Sequence, residues 1–206
     1  MTLFESILQQ YGTNEPIISS DISFQNYSRP WIYKQLNQLC KEGRLVRYEK
    51  GIYYIPTQTP FGKSLLSPRK VIECKYISQG GETVGYYSGI TLQNQLRLTT
   101  QMPNVIEVYT NNETTRVRDV YVGKQKVLLR KARTKITTAN ADVLRFLELM
   151  NDLDPSTLDD EKKAILDRFI TDRKISKKDI TTYAPVFPDK ALRTLVESEV
   201  IYSVAQ

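Results

Sequence analysis

Residues 40–56, CKEGRLVRYEKGIYYIP, constrain the fold more than any other stretch of the chain. Just upstream, Ser28 suits a helix N-cap, and Pro30 falls in the first turn, where a missing N–H costs nothing. Ile32, Leu36, Leu39 and Cys40 recur at helical spacing and turn inward. Arg29, Pro30, Tyr33, Lys34, Asn37, Gln38 and Lys41 are left on the other side, and Gly43 closes the helix as a C′ residue. Leu45 to Tyr48 then alternates as a strand, and Ile52-Tyr53-Tyr54-Ile55 returns from it. Between them Glu49-Lys50-Gly51 supplies the positive-φ position that a tight hairpin needs. A helix that runs almost directly into a short hairpin with a basic tip leaves few folds open.

The residues before it narrow the choice. Leu3, Ile7, Leu8 and Tyr11 define a helical face over residues 2–11, ended by Gly12 and an Asn14-Glu15-Pro16 turn. IISSDI reads as a short second helix or a turn, and SFQNYS as an irregular connection. Three helices followed by a two-stranded wing is the order of a winged helix-turn-helix, expected here over residues 1–56. A helix fits the DNA major groove, so Ser28, Arg29, Tyr33, Lys34 and Asn37 are candidate contacts to bases or neighbouring phosphates. Arg47 and Lys50 on the wing are candidate contacts to the phosphate backbone. The alternative is a winged helix used only to dock a partner enzyme, with no sequence-specific DNA binding. Residues 1–60 leave it open, because they carry six Lys/Arg against five Asp/Glu.

Pro56 and Pro60 bracket a neutral, Thr-rich segment, so a stiff linker is expected at 57–60 and a second domain at 61–206. Residues 61–140 carry thirteen Lys/Arg and five Asp/Glu, residues 141–206 ten and thirteen. A basic middle beside an acidic tail points to a polyanionic partner. Gly80-Gly81 and Gly85 resemble a phosphate loop, but Tyr86 stands where Lys-Ser/Thr would be required. The spacing predicts a helix from about Tyr87 to Leu98 and strands at 105–110, 114–123 and 125–133. Lys124, Lys126, Arg130, Lys131 and Arg133 form the densest basic run. It is either a second nucleic-acid contact, a charged strand edge or a partner surface.

Helices follow at 139–151 and through most of 156–206. Ser156 and Ser176 are candidate caps, and Leu192, Leu195 and Val196 form the inward face of the last helix. The fold class is therefore α+β: a winged helix-turn-helix, then a mixed α/β domain with C-terminal helices.

The chain has no histidine, which removes Ser-His-Asp and Cys-His catalysis and every His-ligated metal site. Cys40 and Cys74 read as buried free thiols rather than a disulfide framework. Glu73, Glu107 and Asp119 show no metal-ligand spacing. No catalytic residue, metal or cofactor is expected, and the chain does not read as an enzyme. With no long apolar run and no charged-then-apolar start, it reads as cytoplasmic and not membrane-bound.

Two strings together carry a family resemblance. The first is GRLVRYEKGIYYIP, with Gly43, Gly51, Tyr53 and Tyr54. The second is GYYSGITLQNQLRLTTQMPNVIEVYTNN, with Gly85, Ser88, Gly89, Leu92, Leu96, Leu98, Thr99, Gln101, Pro103 and Thr110-Asn111. Over roughly residues 1–150 the chain resembles the AbiEi-type antitoxins of type IV toxin–antitoxin systems, in a short branch related to them. The resemblance implies a bacterial transcriptional autorepressor that binds double-stranded DNA in its own promoter. It also implies an antitoxin that counters a nucleotidyltransferase-like toxin encoded beside it, without a stable complex between the two.

Overall fold

Helix α1 (Leu3–Tyr11) begins at a capping box, in which the Thr2 hydroxyl accepts from the Glu5 N–H and Glu5 accepts from the Thr2 N–H. It opens a computed structural model that describes residues 1–25 and 27–204. These divide into two units, Met1–Cys74 and Lys75–Gln206.

In the first unit, strand β1 (Ile17–Ile18) follows α1, and α2 (Arg29–Lys41) leads into β2 (Val46–Glu49) and β3 (Ile52–Tyr54). The three strands form one antiparallel sheet in the order β1-β3-β2. Two α-helices, not three, precede the hairpin among the described residues. The pair Ile17-Ile18, expected in a helix or turn, is a strand. Its β-branched side chains suit the pleat, it pairs with Tyr53 and Ile52, and the Ser19 N–H extends the ladder by donating to the Gly51 carbonyl (2.8 Å). A six-residue segment behind Pro16 also has too few turns to nucleate a helix of its own. Leu3, Ile7, Ile17, Ile22, Phe24, Ile32, Leu36, Leu39, Leu45, Tyr53 and Ile55 close into one core. Each such side chain contributes about 1.5–3 kcal/mol on burial. Leu8, expected on the inner face of α1, is exposed.

Residues 57–60 are not a linker between domains. They enter a hairpin of β4 (Gln58–Thr59) and β5 (Gly62–Lys63) inside the first unit. Pro60 sits in its turn, where it needs no ladder partner, and Gly62 takes φ +106°. Ser64 bonds the Asn14 side chain, and Lys63 Nζ donates to the Gly43 carbonyl (2.7 Å), which fastens the hairpin to the rest of the unit. Helix α3 (Pro68–Ile72) follows, with a π-helical turn over Glu73–Ile77. The division of the chain falls within that turn.

The second unit opens with a hairpin of β6 (Ser78–Gln79) and β7 (Glu82–Thr83), whose tip is Gly80-Gly81. Then come β8 (Gly85–Ser88), α4 (Gly89–Gln95), β9 (Val105–Thr110), β10 (Val117–Val122) and β11 (Gln125–Lys131). The main sheet has the order β10-β11-β9-β8, with β11 parallel to β9 and the other pairs antiparallel. The glycines that mimic a phosphate loop are a turn and a close approach. A Cβ at Gly85 would stand 2.0 Å from the Tyr76 carbonyl oxygen.

Helices α5 (Ala141–Asp152), α6 (Asp160–Asp172), α7 (Lys177–Tyr183) and α8 (Asp189–Glu197) complete the unit. Helix α5 is apolar on almost every side and packs against β8, α4, α7 and α8. Ser176 caps α7 through a capping box with Asp179, as its position predicts. Ser156 does not cap a helix: Asp159 caps α6 by accepting from the Lys162 N–H (2.9 Å), a carboxylate outcompeting a hydroxyl three residues away. In α8, Leu195 is buried but Leu192 and Val196 are exposed, and Ala191 and Thr194 take the inner positions. The architecture is α+β. Among the described residues no helix is long and apolar enough to cross a membrane.

Candidate functional site

Helix α2 separates its residues as the spacing requires. Ile32, Leu36 and Leu39 are buried, while Tyr33, Lys34, Asn37, Gln38 and Lys41 are exposed. With Pro30 and Gln35 the exposed five line a shallow depression along the helix that contains two lysines and no carboxylate. Ser28 stands at the N-cap backbone position but its hydroxyl makes no capping bond. Arg29 departs from expectation. Its Nη1 donates to the carbonyls of Ile22 (2.7 Å) and Ser19 (3.3 Å), so it ties the 19–22 turn to the start of α2. No residue pattern signals this contact, because the acceptors are main-chain atoms. Phe24, Tyr27 and Trp31 stack on one another, Tyr27 and Trp31 with ring centroids 3.9 Å apart, which ties Phe24 and Tyr27 to the first turn of α2. Asn26, in the connection that reads as irregular, lies outside the described residues.

On the β2–β3 hairpin, Lys50 is exposed at the tip beside Gly51, which takes φ +81°. Arg47 is exposed, and its Nε donates to the Glu49 carbonyl (3.4 Å) across a bulge at Tyr48. The bulge re-aims the strand just before the basic tip.

The basic run of the second unit is not one patch. Lys124 is exposed at the β10–β11 turn and Lys131 at the far end of β11. Lys126 pairs with Asp119 (2.7 Å), Arg130 with Glu107 (3.1 Å) and Arg133 with Glu148 (2.9 Å). Three of the five cations are thus held by carboxylates that the fold brings in from elsewhere in the sequence. Lys131 shares a depression with Arg116, Arg130 and Arg133.

The Arg133–Glu148 pair is bidentate, with Nη2 to Oε1 at 3.0 Å beside the Nε contact, and Glu148 is only 2% exposed. The Tyr109 hydroxyl donates to Glu148 Oε1 (3.1 Å). Burial, with Glu148 adding to it, pushes the Tyr109 phenol up to about 12. The hydrogen bond to Glu148 holds the Arg133 guanidinium even more firmly protonated than usual.

Beside this pair lies a polar pocket that sequence reasoning did not assemble. Ser88, Gly89, Glu107, Asn151 and Asp152 line it, with Tyr109, Arg130, Arg133 and Glu148 as its inner wall. Asp152 sits at the open rim and accepts from the Gly89 N–H (3.2 Å). Although its surface is exposed, the protein around it removes enough water to raise its carboxyl to about 6, and Glu148 adds to the effect. Of the carboxylates that invite an enzymatic reading, Glu107 and Asp119 are held by Arg130 and Lys126, and Glu73 lies in the π-helical turn. Among the described residues no group of three or more His, Cys, Asp or Glu can hold a metal ion.

The chain belongs to a family of unknown function, DUF6088, whose model matches residues 17–180. The DUF6088 match runs from β1 into α7, so it takes in α2, the β2–β3 hairpin and the polar pocket, and leaves out α1 and α8. No curated protein and no solved structure matches the chain.

Proposed function

We propose that this chain is a sequence-specific DNA-binding repressor of the winged helix-turn-helix type. Helix α2 reads the major groove and the β2–β3 hairpin is the wing. The observation that carries this reading is the stripe of Tyr33, Lys34, Asn37, Gln38 and Lys41 along the outward face of α2, which lines a depression without a carboxylate. The nearest acid is Glu42 at the helix end, which accepts from Gln38 Nε2 (2.9 Å). A long amide, an amide and two lysines at helical spacing are the groups that hydrogen-bond base edges and phosphates. The exposed Lys50 at the hairpin tip supports it. In this reading the turn at residues 19–22 stands in for the second helix, and Arg29 and the Phe24/Tyr27/Trp31 stack brace the reading helix rather than touch DNA. Arg47 grips the backbone from the wing. From its resemblance to the AbiEi-type antitoxins we further propose that the repressor acts on its own promoter and that the second unit counters a nucleotidyltransferase-like toxin.

A titration of the full chain by fluorescence anisotropy, on its own upstream DNA and on a scrambled duplex from low to physiological salt, tests the reading. Sequence-dependent binding that survives physiological salt is the expected result. Lys50→Ala weakens binding to both duplexes alike and lowers the slope of log K against log salt by about 1. Asn37→Ala instead removes about 1–3 kcal/mol of discrimination between them. Equal losses on both duplexes for Asn37→Ala would reject base reading there.

One observation favours a second reading, in which the first unit docks a partner protein. Phe61, at the tip of the β4–β5 hairpin, is fully exposed, as an anchor for a protein surface would be. Weak binding, equal on both duplexes and lost with salt, would move that reading to first place.

A further inference from the structure

We infer that the polar pocket of the second unit is a receptor for a guanidinium group, held by the open carboxylate oxygens of Glu107 and Asp152 and by the Ser88 hydroxyl. This lies outside the DNA-binding reading and does not depend on it.

The hydrogen-bonding capacity left in the pocket points to a donor-rich cation. Ser88 is 2% exposed, lines the pocket, and its Oγ has no partner. A buried hydroxyl without a partner is costly and rare, and it marks a place where something else bonds. Glu107 gives Oε2 to Arg130 (3.1 Å) and has Oε1 to spare. Asp152 gives Oδ2 to the Gly89 N–H and has Oδ1 to spare. Both carboxylates converge on Gly89. A Cβ there would lie 2.7 Å from Glu107 Oε1, so the missing side chain is what keeps the space open.

Charge selects the sign of the ligand. Three carboxylates, Glu107, Glu148 and Asp152, face two arginines, Arg130 and Arg133, each already paired with one of them, so an added anion would meet an excess of negative charge. Shape and hydration then favour guanidinium over ammonium. Its planar fork offers five donors to acceptors spread around a rim, and it sheds water more readily.

The group could come from a free small molecule or from an arginine side chain of a protein, and two probes separate the sources. Agmatine and a blocked Gly-Arg-Gly tripeptide are titrated into the full chain by calorimetry, with butylammonium as a cation that lacks the fork. At least one guanidinium probe binds in the millimolar range or tighter, and butylammonium binds at least about tenfold more weakly, the loss expected for one charged hydrogen bond. Agmatine alone binding assigns a free metabolite, and tighter tripeptide binding assigns a protein side chain.

Asp152→Asn keeps the shape and the bond to Gly89 and weakens binding by about tenfold. Ser88→Ala weakens it severalfold while leaving the melting temperature equal or higher, because it removes an unsatisfied group. Lowering the pH from about 7.5 to about 5 weakens binding, since Asp152 takes up a proton in that interval. Of the other groups facing Asp152, Glu107 and Glu148 oppose its ionisation while Lys190 favours it. No binding of either guanidinium probe to the folded protein overturns the inference. So does binding that Asp152→Asn and Ser88→Ala both leave unchanged.

Discussion

Replacing Glu148 by alanine is expected to lower the stability of the second unit by about 3–5 kcal/mol, the usual cost of leaving one member of a buried ion pair alone. Arg133 would keep its charge with its side chain only 26% exposed, wedged between the rings of Tyr109 and Phe187 at 5.6 and 5.1 Å. The Tyr109 hydroxyl would lose its acceptor at the same time. Urea unfolding measures the loss, and hydrogen exchange at the β9 and α5 amides assigns it to this unit. The control is the double replacement Glu148→Leu with Arg133→Met, which removes both charges and is expected to recover most of the loss, with only the Tyr109 hydroxyl left without its acceptor. A second readout comes from Tyr109, whose titration, followed by NMR, should fall from about 12 in Glu148→Ala. It should stay above the ordinary tyrosine value, because burial is the larger cause of its shift. A stability loss below about 1 kcal/mol would mean that water reaches Arg133 and that the pair behaves as a surface one.

That pair also shows where sequence reasoning stops. The run from Lys124 to Arg133 reads as a basic strand because composition counts charges without their partners. Glu107, Asp119 and Glu148 neutralise three of its members, and each arrives through a contact set by the fold: a parallel β9–β11 pairing, an antiparallel hairpin and a helix laid on the sheet. Local signals fared differently. Gly43 and Gly51 take the positive φ that their positions demand, at +71° and +81°, because a turn is decided by the residues in it. The inward and outward faces of α2 were legible for the same reason, since helical period alone sorts them. Ile17-Ile18 was not, because two residues carry no period, and only pairing with Tyr53 and Ile52 makes them a strand. The pocket around Ser88 was out of reach altogether. It joins β8, β9, β11 and α5, and its clearest mark is an absent side chain at Gly89.

Leu36→Ala is expected to cost about 2–5 kcal/mol, with the exact loss set by how far the cavity collapses. Leu36 is fully buried on α2, against a core drawn from α1, β1 and β3. A unit of 74 residues has about 4–11 kcal/mol to lose, scaling from about 0.05–0.15 kcal/mol per residue, so this one change takes a large share. Asn37 is the next residue along and points the other way, into solvent. The two replacements therefore separate folding from reading. Leu36→Ala should lose DNA affinity only in proportion to the unfolded fraction, and an osmolyte that favours burial should restore it. Asn37→Ala should melt like the parent, and no osmolyte should return its discrimination between sequences. If Leu36→Ala kept both its stability and its binding, α2 would not be held by this core, and the stripe on its outer face would have no rigid support from which to read DNA.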